Sequence, residues 1–409
     1  MRIQLNSDSS IEHARVLTLF ELCVVSINVI GLDPKLYVVS NGLLVLLLIC
    51  VAWKCLGNKG VIKGGRGLVY LSLTFVYMIV STLWAYNTKV ATNQFKTQIQ
   101  LIILFFAVYE IGMMYKSLVV SYIHAVYVSS YCMIIFAMIR YGGLNGYLSE
   151  LSEIGRMGGG INGANGFGLV FANGCIAAFY YLLFMKKKSA WIGVLLFPMF
   201  ALSSGSKKAF FFIILGLVTM LIYRYGFKRI YKVLFVALVI LLLAYNLLQL
   251  PIFETMNSRL NQFIVGTNTS DIKRKQFIED GIALIHGWRA VFGYGLHNFK
   301  VVTGNNVYSH NNYIETLVSF GVLGTIIYYL MYIRSVIGIY HNVQNNKIYV
   351  PMLIIIILTI VMEYGMVTMY SKEIWVLLGV SLAIADRKES LKEIKEVDDN
   401  GTNRSYSDL

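Results

Sequence analysis

Stretches of about twenty apolar residues alternate with short polar segments along most of the chain, a pattern that fits helices crossing a hydrocarbon core about 30 Å thick. Such runs occupy 14–31, 36–56, 67–86, 98–115, 119–140, 163–185, 189–203, 209–224, 230–250, 311–333, 349–367 and 373–385. Helices satisfy their own backbone groups in lipid, so the pattern predicts an all-α polytopic transmembrane bundle of about twelve helices. The runs at 189–203 and 209–224 are short, and the polar SSGSKK at 203–208 could instead sit at the tip of a re-entrant hairpin.

One segment breaks the alternation. Residues 251–309 are of mixed polarity, and their aromatic and aliphatic content argues against disorder. The predicted organisation is therefore nine helices in 1–250, a large outer loop at 251–309, three helices in 310–386 and a tail at 387–409. Within the loop, DIKRKQFIEDGIALI places Ile272, Phe277, Ile278, Ile282 and Ile285 at helical spacing behind Asp271, an acidic N-cap candidate. That spacing predicts an amphipathic helix along the membrane surface. FGYGLHNF then reads as a turn in which Gly293 and Gly295 allow close backbone approach.

Composition agrees with a membrane protein: 57% of residues are hydrophobic, 14% are charged and mean hydropathy is +0.65. The opening MRIQLNSDSSIEHARV lacks the apolar core of a removable signal, so the first helix is expected to address the chain. The five cysteines lie in or beside apolar runs without CxxC spacing, which predicts neither disulfides nor a metal site. With the N-terminus placed inside, about 21 of the 35 Lys and Arg residues fall on the inner side, as the positive-inside rule demands, and both termini come out cytoplasmic. Anionic membrane lipids account for those charges. They do not account for Arg156, Lys207, Lys208, Arg259, Lys273, Arg274, Lys275 and Arg289, which gather on the outer side. No basic domain with interleaved aromatics exists, so nucleic acid is not an expected partner.

Two outer segments carry candidate chemistry. In RMGGGINGANGFG, Asn162 and Asn165 stand at a helix entrance, where amides and backbone N–H groups either cap the helix or face an anionic or sugar ligand. In SHNNYIETLVSFGVLG, His310 has the imidazole type that accepts a proton at neutral pH, its ordinary pKa being about 6.5. Asn311 and Glu315 share a helix face and could orient a sugar or bind each other, while Gly321 and Gly324 would let the helix pack closely. Simple capping at a wet interface is the alternative for this stretch. His297 reads mainly as part of the glycine turn. Glu110 and Glu363 lie near or within spans and have no partner assignable from sequence.

Taken in order, RMGGGINGANGFG, SGSKKAF, KRKQFIEDGIALI with GYGLHNF, and SHNNYIETLVSFGVLG resemble the motifs of the O-antigen ligase and polymerase superfamily of bacterial membrane glycosyltransferases. The resemblance covers Arg156 to Gly324, and its one departure is Lys207 where the family more often has Arg, which keeps the charge and loses the planar fork. It implies metal- and cofactor-free transfer of a glycan from undecaprenyl pyrophosphate to an acceptor hydroxyl at the outer face of the cytoplasmic membrane. Arg156, Lys207 and Arg274, with Lys273 and Arg289 in reserve, would hold the pyrophosphate, and His310 would serve as base. By analogy the polymerase is preferred over a ligase that hands a finished glycan to a lipid or protein. A flippase and a chain-length regulator of the same pathway are implied partners. A lipid-linked sugar transporter is the competing class, but no clear internal repeat is present and the polar residues gather at the outer face, which fits an externally open enzyme better.

Overall fold

The computed structural model describes residues 7–31, 33, 35–57, 64–161 and 163–387. Among them the chain is helical, with no strand. Five helices, α1 (Ser7–Ile30), α2 (Tyr37–Gly57), α3 (Arg66–Ser81), α4 (Thr88–Met114) and α5 (Leu118–Arg140), precede a short amphipathic α6 (Gly143–Ile154). Then come α7 (Gly163–Leu183), α8 (Ala190–Ser203), α9 (Lys207–Tyr225) and α10 (Ile230–Leu248). The long loop folds into α11 (Glu254–Val265), α12 (Thr269–Ala283), α13 (Gly287–Phe292) and α14 (Phe299–Val302), and the chain closes with α15 (Asn312–Asn345), α16 (Val350–Met362) and α17 (Lys372–Asp386).

Each of the twelve apolar runs is a helix, and eight described segments are long and apolar enough to cross a membrane. α8 has 14 residues and α17 has 15, so each rises roughly 21–23 Å, short of a full span. The residues between α8 and α9 form a tight turn with Gly205 at φ 59°, and Ser204 and Ser206 are buried. Ser206 caps α9 by accepting from the Ala209 N–H. This turn is thus a helix-to-helix tip sunk into the protein, held between the amino ends of neighbouring helices.

The expected continuous span at 311–333 is broken. Gly321 has φ 66° and ψ −172°, outside the helical region. Beyond it the chain folds back, because Asn312 Nδ2 lies 3.0 Å from the Tyr329 hydroxyl although the two are 17 residues apart. In a straight helix they would be separated by about 25 Å. The Tyr313 and Tyr329 rings also stack, at 5.2 Å. Carbonyls freed at the reversal are taken up by the glycine turn: the N–H groups of Tyr294 and Gly295 donate to the carbonyls of Val318 (2.8 Å) and Ser319 (2.9 Å), and Tyr77 donates to Phe320 (2.7 Å). A Cβ on Gly321 would lie 2.3 Å from the Val291 carbonyl, so only glycine permits this docking.

The loop helices pack around a small apolar core. Phe277 and Ile278 of α12 pack with Phe299, Ile314 and Val318, while Ile272 and Ile282 stay exposed. The cap of α12 is Asn268, which accepts from the Ser270 N–H at 3.1 Å; Asp271, the expected cap, sits in the first turn with its carboxylate engaged elsewhere. Asn268 wins because its oxygen reaches the second N–H of the helix from the extended residue before it.

Candidate active site

The amino ends of α7, α9 and α12 and the loop before α15 are joined into one site by side-chain contacts. Arg156, just after α6, donates from Nε to the Ser204 carbonyl (3.0 Å) and from Nη2 to Asn165 Oδ1 (3.1 Å). Ser206 donates to the same Asn165 oxygen at 3.1 Å, so α7 and α9 are tied together at their positive dipole ends. Lys207 pairs with Asp271 Oδ2, and Arg274 Nη1 pairs with Asp271 Oδ1 at 3.0 Å. These contacts bring Arg156, Asn165, Lys207 and Arg274 into one neighbourhood.

Two more cations belong to it. Lys208 lies within electrostatic range of Arg156, Lys207 and Arg274, and Arg259 of α11 lies within range of Arg156, Arg274 and Asp271. Among the described residues no carboxylate comes within ion-pair distance of Arg156, Lys208 or Arg259, and the buried Arg259 Nε has no hydrogen-bond partner. Burial, together with Arg259 and Arg274, lowers the Arg156 pKa to about 10. Five cations therefore share the single carboxylate of Asp271, an arrangement that an anion would relieve. Both added residues were among the outer cations in the sequence; what sequence does not show is which of those cations helix packing draws together.

His310 borders this group. Its backbone is left-handed, with φ 55°, and its ring packs against Phe277 (6.1 Å, stacked) and Tyr308 (4.3 Å, tilted). Burial first, then Arg274 and Lys208, lowers its pKa to about 4, so the imidazole is neutral at physiological pH.

The remaining expected residues are placed differently. Asn311 caps α15 by accepting from the Ile314 N–H at 3.1 Å. Glu315 is fully buried and accepts from the Ser309 N–H (2.9 Å) and the Tyr370 hydroxyl (3.3 Å), anchoring the residue before His310. His297 faces Glu315 at 3.9 Å, and burial lowers its pKa to about 4, with Lys300 adding to the shift. Arg289 donates to the Trp84 (2.7 Å) and Gly293 (3.1 Å) carbonyls and lies over the Trp288 ring, fastening the glycine turn away from the cations. Lys273 is exposed on the side of α12 away from Asp271 and Arg274. Asn162 lies outside the described residues. Among the described residues no three His, Cys, Asp or Glu side chains converge as metal ligands.

Residues 191–329 match the family model described as O-antigen ligase. Over that segment the chain is similar to the O-antigen ligase family. No curated protein matches the chain. The matched O-antigen ligase segment runs from α8 through the fold-back of α15, so it contains Lys207, Lys208, Arg259, Asp271, Arg274 and His310. Arg156 and Asn165 reach this segment from outside it through the contacts with Ser204 and Ser206. The eight apolar helices fit a multi-pass membrane protein, and the matched segment supports a role of the O-antigen ligase or polymerase type.

Proposed function

We propose that the protein polymerises oligosaccharide repeat units carried on undecaprenyl pyrophosphate at the outer face of the bacterial cytoplasmic membrane. The observation that carries this reading is the excess of cations, Lys207 buried and the other four half-buried, beside a neutral imidazole. A pyrophosphate diester brings two negative charges and gains a third as it leaves, which suits a cluster holding one carboxylate among five cations. The buried turn that carries Lys207, at the end of the short α8, suits a headgroup whose lipid tail stays in the bilayer.

In the proposed step the acceptor hydroxyl oxygen attacks the anomeric carbon of the donor glycan. The bond from that carbon to the phosphate oxygen breaks, the pyrophosphate keeps the electron pair, and His310 takes the hydroxyl proton. Arg156, Lys207, Lys208, Arg259 and Arg274 hold the leaving group. Donor charge offsets Arg274 and Lys208, the two cations that depress the imidazole, so binding raises the basicity of His310 when it is needed. Asn165 orients Arg156, and Glu315 and Asn311 hold the His310 loop from either side.

The test is incubation of purified protein with a lipid-pyrophosphate-linked oligosaccharide as sole glycan substrate, with and without a separate lipid or protein acceptor. A ladder of products without added acceptor supports the polymerase. Transfer of one intact glycan to the added acceptor alone supports a ligase, and no transfer in either arrangement overturns both.

A further inference from the structure

Glu363 takes no part in the chemistry above, yet it is fully buried and four side chains donate to it. Its Oε2 accepts from Asn312 Nδ2 (3.1 Å) and the Tyr329 hydroxyl (2.6 Å). Its Oε1 accepts from the Tyr332 hydroxyl (2.6 Å) and from Thr368 Oγ1. Asn312 in turn accepts the N–H groups of Thr368 (3.0 Å) and Met369 (3.1 Å) on its Oδ1. Those backbone donors fix which end of the amide is oxygen, so its NH2 must face Glu363. The carboxylate therefore bolts the short first half of α15 to Tyr329 and Tyr332 on the returning half.

His310 stands two residues before Asn312. Its left-handed backbone is unfavourable for a residue with a side chain and persists only where the surroundings impose it. Glu315 fixes Ser309 on one side, and the Asn312–Glu363 contact fixes the start of α15 on the other. The same turn reaches the cations, since Gly365 packs against the Lys208 side chain, where a Cβ would lie 2.9 Å from Cε. Packing alone would not need a buried carboxylate, which is costly in a membrane protein unless its hydrogen bonds fix one arrangement.

We propose that Glu363 is a positioning residue: its four-donor carboxylate locks the fold-back of α15 and thereby aims the His310 imidazole relative to the cation cluster. This rests on the role proposed for His310. A glutamine at 363 can keep the arrangement, with its carbonyl towards Asn312 and Tyr329 and its NH2 towards two hydroxyls able to rotate and accept. An alanine cannot.

The experiment compares wild type, Glu363→Gln and Glu363→Ala in purified full-length protein by two readouts. In transfer assays, Glu363→Ala is expected to lose roughly 10- to 100-fold in kcat, as small misplacements of a catalytic group do. Donor KM should stay within about two-fold, and Glu363→Gln should recover most of the rate. In NMR titrations of 13C-histidine-labelled protein, with the His310 signal identified by its absence in His310→Gln, the His310 midpoint should move in Glu363→Ala and stay in Glu363→Gln. Should Glu363→Ala not fold, Tyr329→Phe removes one donor and is expected to move both readouts in the same direction. A folded variant lacking the contact whose His310 titration matches wild type overturns the proposal, whatever its rate, because a merely structural loss would leave the imidazole unchanged. If wild type shows no transfer at all, the proposed chemistry fails, while the titration still decides the positioning role.

Discussion

Lys207 and Asp271 form an ion pair that joins the amino end of α9 to the first turn of α12, with the Lys207 side chain only 9% exposed. Because Arg274 takes the other oxygen of Asp271, this one carboxylate holds two cations that would otherwise repel. Asp271→Asn leaves both without a counter-ion, and uncompensated buried charge is strongly destabilising. The variant should melt lower than wild type in detergent, and inorganic pyrophosphate should raise its melting temperature by more than it raises that of wild type. Equal melting in both conditions would contradict an anion site at this cluster.

The lowered pKa of His310 sets a pH dependence. The unfolded chain takes up its proton near 6.5 and the folded protein only near 4, so the unfolded state binds more protons in between. Stability contributed by the neutral imidazole is complete above about 6.5 and is lost as pH falls towards about 4. For catalysis, the acid limb of kcat/KM reports the free enzyme and should lie near 4, while the limb of kcat should lie higher, because bound donor screens Arg274 and Lys208. Rate measurements across pH 3.5 to 8 at low and saturating donor check this, and coincident limbs would contradict the screening.

Gly321→Ala should be among the most damaging single substitutions. It adds a Cβ 2.3 Å from the Val291 carbonyl at a φ of 66°, so the glycine turn and the fold-back of α15 cannot dock. The expected result is poor recovery of folded protein by detergent size-exclusion chromatography. Gly324→Ala meets the Tyr77 ring and Phe320 Cβ, with no backbone carbonyl among the nearest atoms and no positive φ, and should be milder.

This reversal also marks where sequence stops being legible. The twelve apolar runs correspond to helices because hydropathy reports burial in lipid or protein directly. Apolar residues continue at helical spacing on both sides of Gly321, so no change of period signals that the chain turns back. The order of the motifs singled out the outer cations and His310 as candidates. Which cations meet depends on helix packing: Arg259 arrives from α11, whereas Arg289 turns to the Trp84 carbonyl. Glu315 shared a helix face with Asn311 in sequence, yet the fold-back turns its carboxylate inward to Ser309.

The distribution of cations predicts a contrast among alanine substitutions. Lys208→Ala and Arg259→Ala should raise donor KM by about ten-fold or more, since each removes a charge from the desolvated group. Lys273→Ala, on the exposed side of α12, should leave KM unchanged. Arg289→Ala should lower the melting temperature by unfastening the glycine turn, with a smaller effect on KM. Steady-state kinetics with purified variants separates these three outcomes.

The most direct test compares His310→Ala with Arg274→Ala for donor binding and for transfer, using purified protein and a fluorescent lipid-pyrophosphate oligosaccharide. His310→Ala should bind donor as wild type does and lose about 10²- to 10⁴-fold in kcat, the usual contribution of a general base. Arg274→Ala should bind donor more weakly and also lose about 10²- to 10³-fold in rate, because it stabilises the departing pyrophosphate. Wild-type kcat in a folded His310→Ala variant would contradict the assignment of the base and, with it, the proposed site of transfer.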